Sequence, residues 1–287
     1  MPKLPVSAID LSVRPMPQEI AVRYGALAEY RHVWQEMFHR GEVLRDGIPL
    51  SEMIAEMDEV GVGQAVVSGY DARNTSGLYV ENDWVAELSR KLPGRIVGGI
   101  GIDPLADIMT SLAEIERCAK QYDFRLVRMF PYAVDLPPSD RRFYPIYAKC
   151  VELDLAVWMQ VGHTAGLMPS DPGRPIYLDR VALDFPKLRV IGGHIGWPWE
   201  QEMIAMAVKH PNIYISTCAH APEYFPPSIV HFMKTRGKRK VLYASNWPYI
   251  PFKRYFEHYR ELGLPEDAER LYLRDNARRV LRLSDGK

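Results

Sequence analysis

Short runs rich in valine, isoleucine and glycine recur along the chain, and polar segments separate them. Near-continuous apolarity over a few residues is typical of strands that are buried on both faces, as in a parallel sheet. The predicted strands are residues 8–13, 64–69, 96–102, 125–130, 156–161, 189–194, 212–217 and 241–246.

Helical periodicity fills most of the intervals between these runs. Segments 104–121 and 139–154 carry apolar residues at helical spacing; Pro104 is placed for a first turn, and Ser139 or Asp140 could cap the second helix. Eight strand–helix units in 287 residues are the number and size of a (β/α)8 barrel. A doubly wound open sheet is the competing fold, but no glycine fingerprint follows the first strand.

We therefore predict an α/β fold, a distorted TIM barrel in which residues 1–287 form a single domain. The longest connection follows the first strand, over residues 15–63, and its pattern predicts a helix around residues 20–40. Long excursions of this kind cover the mouth of a barrel or build an oligomer interface. The alternative is an extra helix that only adds packing.

Composition restricts the partners. Lysine and arginine together number 36, as do aspartate and glutamate, so the formal charge is zero. The basic cluster at residues 234–240 lacks interleaved aromatic residues, which favours a solvated loop over a nucleic-acid contact. No stretch is apolar for long enough to span a membrane, and the three cysteines form no CxxC pair. We expect a cytoplasmic protein that binds neither nucleic acid nor membrane.

Polar residues stand at the ends of several predicted strands, where barrels build their sites. Period-two alternation points these side chains inward, and their convergence is a signal for a site. Each also has a simpler reading: a histidine is often a packed, hydrogen-bonded residue, Arg128 could pair with a loop carboxylate, and Asn246 could be a turn residue before Trp247. The candidates are Ser12, Arg14, Arg128, His163, His194 and Asn246.

Several motifs resemble the amidohydrolase-2 family of the amidohydrolase superfamily, the metal-dependent hydrolases similar to aminocarboxymuconate-semialdehyde decarboxylase. They are GGHIGWPW, APEYFPP, HFMKTRG, KVLYASNWPY and LRDNARRVLRL. The resemblance runs from residue 8 to about residue 283 and is most specific in the final third. It implies a distorted barrel, with hydrolase, hydratase or decarboxylase activity on a small and usually anionic organic substrate.

The resemblance also implies metal ligands that this chain has replaced. The family pattern has an H-x-H or E-x-H pair on the first strand and an aspartate after the last one. Here those positions hold Ser12, Arg14 and Asn246, while His163 and His194 remain. An arginine offers a cation no lone pair and repels it. We therefore expect a degenerate metal site with no cofactor in this chain; the alternative is one weakly held zinc or other divalent metal at His163 and His194, or a metal in a partner chain.

Two functions fit this expectation. The chain could be a companion subunit, in a homo- or hetero-oligomer with a related amidohydrolase, of a metal enzyme that acts on a small carboxylate. It could instead be a metal-independent hydrolase or decarboxylase. In that case Ser12, Arg14, Arg128 and Trp247 would bind the substrate, and His163, His194 and Asn246 would be catalytic. A ligand-binding role, or a metal arrangement using Cys218 or His220, is a further alternative. The simpler reading of those two residues is loop structure.

Overall fold

The computed structural model describes residues 4–284. Its strands are β1 (Ala8–Asp10), β2 (Val62–Ser68), β3 (Tyr70–Ala72), β4 (Leu78–Val80), β5 (Ile96–Gly101), β6 (Leu126–Met129), β7 (Ala156–Met159), β8 (Arg189–Gly192), β9 (Ile213–Ser216) and β10 (Val241–Leu242). Eight of them form one parallel sheet in the order β1-β2-β5-β6-β7-β8-β9-β10. All eight predicted strands are confirmed. The antiparallel pair β3–β4 was not predicted.

The sheet curls so that its first and last strands approach each other. Leu11 N donates a hydrogen bond to the carbonyl oxygen of Tyr243 at 3.0 Å, and Val13 forms a parallel bridge with Trp247. The strand residues are almost all buried on both faces, as their continuous apolar sequence requires. The predicted TIM barrel is confirmed.

Helices surround the sheet. They are α1 (Gln18–Gly25), α2 (Ala28–His32), α3 (Gly41–Asp46), α4 (Leu50–Val60), α5 (Asn82–Lys91), α6 (Ile108–Tyr122), α7 (Pro131–Val134), α8 (Tyr144–Glu152), α9 (Tyr177–Asp184), α10 (Glu200–Lys209), α11 (Pro227–Lys234), α12 (Phe252–Glu257), α13 (Glu266–Arg270) and α14 (Asn276–Leu281). Helix α6 begins later than Pro104 suggested, because Asp107 supplies its cap by accepting from Thr110 N. Asp140 accepts from Arg142 N in the turn before α8.

The predicted single helix over residues 20–40 is wrong. Leu27 is extended (φ −105°, ψ 123°) and separates α1 from α2, and a π-helical turn, Val33–Met37, follows α2. The apolar periodicity continues across this break because both helices bury residues against the same core, including Tyr24 and Tyr30. The excursion thus folds over the barrel as several short helices.

Two other predictions from the sequence concern membrane spans and disulfide bonds. Within residues 4–284, no helix is both long enough and apolar enough to cross a membrane. The cysteines Cys118, Cys150 and Cys218 are unpaired and buried, which agrees with the absence of a disulfide framework.

Candidate active site

A cavity of about 140 Å³ opens at the C-terminal ends of the strands, under the first excursion. An engineered cavity of roughly 150 Å³ holds benzene, so this space suits a compact ligand of similar size. The excursion supplies apolar walls, and the strand ends supply polar groups. The lining includes Arg14, Tyr30, Tyr132, Gln160, His163, His194, His220, Asn246 and Tyr249.

Arg14 enters the cavity just after the first strand. Its Nη1 donates to the hydroxyl of Tyr24 at 3.2 Å. Its guanidinium carbon lies 5.6–5.9 Å from the ring centroids of Phe130, Tyr70 and Tyr249, so aromatic faces surround the charge. No carboxylate among residues 4–284 forms an ion pair with Arg14.

Arg128 lies beneath the cavity floor and is 3 % exposed. Its Nη2 donates to Ser12 Oγ at 2.7 Å, its guanidinium carbon lies 3.9 Å from the Trp158 ring centroid, and its Nε is buried without a hydrogen-bond partner. Burial, with the nearby Arg14 charge, lowers the pKa of Arg128 to about 10. The part of the chain that the structure describes offers Arg128 no carboxylate either.

Ser12 links Arg128 to the last strand. It accepts from the guanidinium and donates to Asn246 Oδ1 at 3.1 Å. Below it, Asp10 accepts hydrogen bonds from Ser12 N and Ser245 N, and burial raises the pKa of this carboxyl to about 6. Ser12, Arg128 and Asn246 therefore form one hydrogen-bonded chain across the barrel where its two ends meet.

His163 and His194 reach the cavity from neighbouring strands. Gly162 has φ +85°, and a Cβ there would lie 2.5 Å from the carbonyl oxygen of Trp197, so only glycine allows the turn that presents His163. His163 N donates to that same oxygen. The His194 ring lies against Trp158, and its Nε2 is shielded without a partner. Burial lowers the pKa of both histidines, most strongly for His194.

Sequence reasoning treated one cavity residue, His220, as loop structure. Its Nδ1 lies 3.1 Å from the carbonyl oxygen of Cys218, and burial lowers its pKa. It was named only in an alternative metal arrangement, because it lies three positions beyond the predicted strand 212–217, farther than Arg14 or His163 lies from its own predicted strand. The signal available in the sequence was a third histidine shortly after a strand.

Phenol groups were also missed. The hydroxyls of Tyr30 and Tyr70 are 2.7 Å apart, and those of Tyr70 and Tyr132 are 3.3 Å apart. Tyr30 and Tyr132 line the cavity together with Tyr249. These residues come from separate segments, so no local pattern connects them.

Trp247 does not line the cavity, although it was predicted to bind the substrate. Its side chain is buried on the opposite side, where Nε1 donates to Glu56 Oε2 at 2.9 Å and the ring stacks on Phe252. The residue before it, Asn246, has φ +65°, which turns the chain as the strand ends. The structure brings the other predicted residues together: Arg14, His163, His194 and Asn246 line the cavity, and Ser12 and Arg128 lie directly beneath.

Backbone strain concentrates at this end of the barrel. His194, Ile195, Ala219 and Asn246 all have positive φ, between 56° and 65°, and they follow three adjacent strands. Non-glycine residues in this region carry a conformational cost and cluster at functional sites. The strain sets the directions of His194, His220 and Asn246.

Histidines and arginines converge at the C-terminal face of this barrel, where barrels of this class build their sites. The sequence pattern of the family described as amidohydrolase matches residues 32–283, and the chain belongs to this family. A TIM-barrel protein of Bordetella bronchiseptica has a TM-score of 0.82 and 28% identity, covering 96% of this chain and 98% of that one.

Two further proteins carry assigned activities. The 2-keto-4-carboxy-3-hexenedioate hydratase of Sphingobium sp. is 28% identical over 171 residues, so the match spans about half of each protein. A 5-carboxyvanillate decarboxylase of Novosphingobium aromaticivorans, solved with manganese and 4-hydroxy-3-methoxy-5-nitrobenzoic acid, has a TM-score of 0.70 and 16% identity, covering 98% of this chain and 97% of that one.

The manganese in that structure corrects one expectation. We expected no cofactor in this chain, and the finding that this fold binds a metal in similar proteins overturns that expectation. The side chains of residues 4–284 do not by themselves form a ready cage, since no three of His, Cys, Asp or Glu are grouped to hold an ion. Arg14 and Arg128 also place positive charge there.

Proposed function

We propose that this protein is a lyase that adds water to, or removes it from, a small conjugated carboxylate bearing more than one acidic group. One observation carries the proposal: part-buried Arg14 and buried Arg128 lie close to each other, and residues 4–284 pair neither with a carboxylate. An unpaired buried charge is costly. An anionic substrate would remove that cost by accepting charge-assisted hydrogen bonds.

The same arrangement favours carbanion chemistry. Hydration of a conjugated double bond develops negative charge on the carbonyl or carboxylate conjugated with it. A guanidinium fixed in a water-poor site stabilises that charge as it forms. Imidazoles that remain neutral near pH 7 are suited to take up a proton. The hydratase similar to this chain supports hydration as the reaction.

Decarboxylation is the second candidate, since several proteins with this fold are decarboxylases. It would leave an electron pair on the same kind of conjugated carbon, which the same arginines would stabilise. The companion-subunit hypothesis also stays a prediction. Co-purification of the chain with a related amidohydrolase, and activity only in the joint complex, would support it.

The test uses purified protein and 2-keto-4-carboxy-3-hexenedioate, with and without added Mn²⁺. Hydration predicts loss of the conjugated absorbance and a product heavier by one water in mass spectrometry; decarboxylation predicts release of CO2. Arg14→Lys keeps the charge but loses the planar fork, and Arg14→Met loses both. Unchanged turnover in Arg14→Met would contradict the proposal, whichever metal condition gives activity.

A further inference from the structure

His220 has a fixed ring orientation that no sequence pattern indicated. A carbonyl oxygen can only accept a hydrogen bond, so the 3.1 Å contact between Nδ1 and the Cys218 oxygen requires a proton on Nδ1. In a neutral imidazole the other nitrogen, Nε2, then carries the lone pair. The contact to Cys218 thus defines which atom of His220 is the base.

His220 lines the cavity, and among residues 4–284 no hydrogen bond reaches its Nε2. The Nε2 of His194, which also lines the cavity, is fully shielded and has no partner, whereas the Nε2 of His220 is not fully shielded. Of these two rings, His220 is therefore the one whose basic nitrogen is open to a ligand.

The backbone is strained so as to hold this orientation. Ala219 has φ +60° and lies between Cys218 and His220. Ala219 N donates to the carbonyl oxygen of Ser245 and His220 N to that of Thr217, so the neighbouring strands fix the turn. An alanine in the left-handed region carries a conformational cost. The barrel keeps this turn although glycine would relieve it.

We propose that His220 is the general base of this site and that its Nε2 takes a proton from the water that adds to the substrate. The inference rests on the proposed lyase function and adds to it the identity of the proton acceptor. It assigns the proton acceptor to His220 rather than to His194, whose Nε2 is shielded.

His220 alone can carry out both proton transfers of the hydration. Nε2 accepts a proton from water, the remaining hydroxide forms a C–O bond, and the electron pair of the C=C bond moves toward the conjugated carboxylate beside Arg14. The imidazolium then returns its proton to the carbon that holds the electron pair. The sum is the addition of one water, and His220 regains its starting state without any oxidant or reductant.

The test compares His220→Asn with His258→Asn. The amide nitrogen of asparagine can replace Nδ1 as donor to Cys218, so this variant removes the base while it keeps the fold. His258 is half-exposed and pairs with Glu261 away from the cavity, so its variant is the matched control. We expect His220→Asn to lose about 10²- to 10⁴-fold in kcat with little change in KM. Added imidazole should restore part of the lost kcat.

Full activity in His220→Asn, or a loss that imidazole does not relieve, would overturn the proposal. If the wild-type protein has no turnover, the proposed function fails, and diethyl pyrocarbonate still decides the orientation of His220. An available Nε2 predicts that His220 is modified faster than His194 and that maleate, a small dicarboxylate, slows its modification. Equal or slower modification of His220, or no slowing by maleate, would show that its lone pair does not face the ligand space.

Discussion

Arginines at the two ends of the barrel have opposite surroundings. At the N-terminal end, Arg95 donates to the carbonyl oxygens of Gly63 and Val62 and pairs with Asp58. At the C-terminal end, Arg14 meets aromatic rings and one phenol, and Arg128 meets one serine. The first arrangement satisfies the charge within the protein and stabilises the fold. The second leaves two charges for a ligand to satisfy, as expected where a barrel builds its site.

The strongest test of this contrast removes a charge at the C-terminal end. We expect Arg14→Met to reduce kcat/KM by about 100-fold, ~3 kcal/mol, because the substrate loses a part-buried charged partner. The free energy of unfolding should stay unchanged or rise in Arg128→Met without ligand, because an unpaired buried charge is removed. Urea unfolding and steady-state kinetics measure both. A large loss of stability in Arg128→Met would remove the contrast between the two ends.

The histidines of the cavity predict how stability depends on pH. Burial lowers the pKa values of His163, His194 and His220 below 6.5. The unfolded chain therefore binds more protons below about pH 6.5, and stability falls as the pH decreases through that value. Asp10 acts in the opposite direction, because its pKa is raised to about 6 and the folded state binds its proton first.

With three histidines against one carboxyl, we expect a net loss of stability between about pH 7 and pH 5. His194 should dominate, since its pKa is lowered furthest. Urea unfolding across this range measures the effect, and His194→Gln should flatten it. A stability that rises on acidification would contradict the prediction.

The N-terminal end can be tested with Arg189, which is 11 % exposed, pairs with Asp154 and donates to the carbonyl oxygen of Val280 at 2.7 Å. Arg189→Ala should lower the free energy of unfolding by about 1.5 kcal/mol, because buried carbonyls lose a charged donor. Turnover at a temperature where the variant stays folded should not change. A selective loss of turnover would mean that this end also serves the reaction.

The smallest expected effect concerns Trp247. Trp247→Phe keeps the aromatic stacking but loses the hydrogen bond to Glu56, so we expect about 1 kcal/mol of destabilisation. Substrate affinity should not change, because the indole lies away from the cavity. A higher KM in this variant would show that Trp247 does contribute to substrate binding.

The fold followed from the sequence wherever burial was uniform. Strands such as β5 and β7 are buried along their whole length, and their apolar runs stand out for that reason. The break at Leu27 could not be predicted from the sequence, because the residues on both sides keep one apolar face and only the backbone angles change. Tertiary packing, rather than local preference, decides that boundary.

Site residues could be predicted from the sequence only close to the end of a predicted strand. Period-two alternation extends one or two residues past the end of a predicted strand, which was enough to identify Arg14 and His163. It failed at His220 and Trp247, because left-handed residues, Ala219 and Asn246, redirect the chain just before them. The phenols of the cavity come from segments far apart in the sequence, and only folding makes them neighbours.

The two unpaired guanidiniums also have a practical consequence. Because no carboxylate in the described part of the chain, residues 4–284, pairs with them, the pocket will accept whatever small anion the solution provides, so citrate, phosphate or acetate would compete with any carboxylate under study. Competition by an anion at a hundred times its Kd weakens the apparent affinity for a second ligand about 100-fold. Buffers with bulky cationic or neutral components would reveal the intrinsic affinity of the cavity, and a series of simple salts would rank the shapes that it admits.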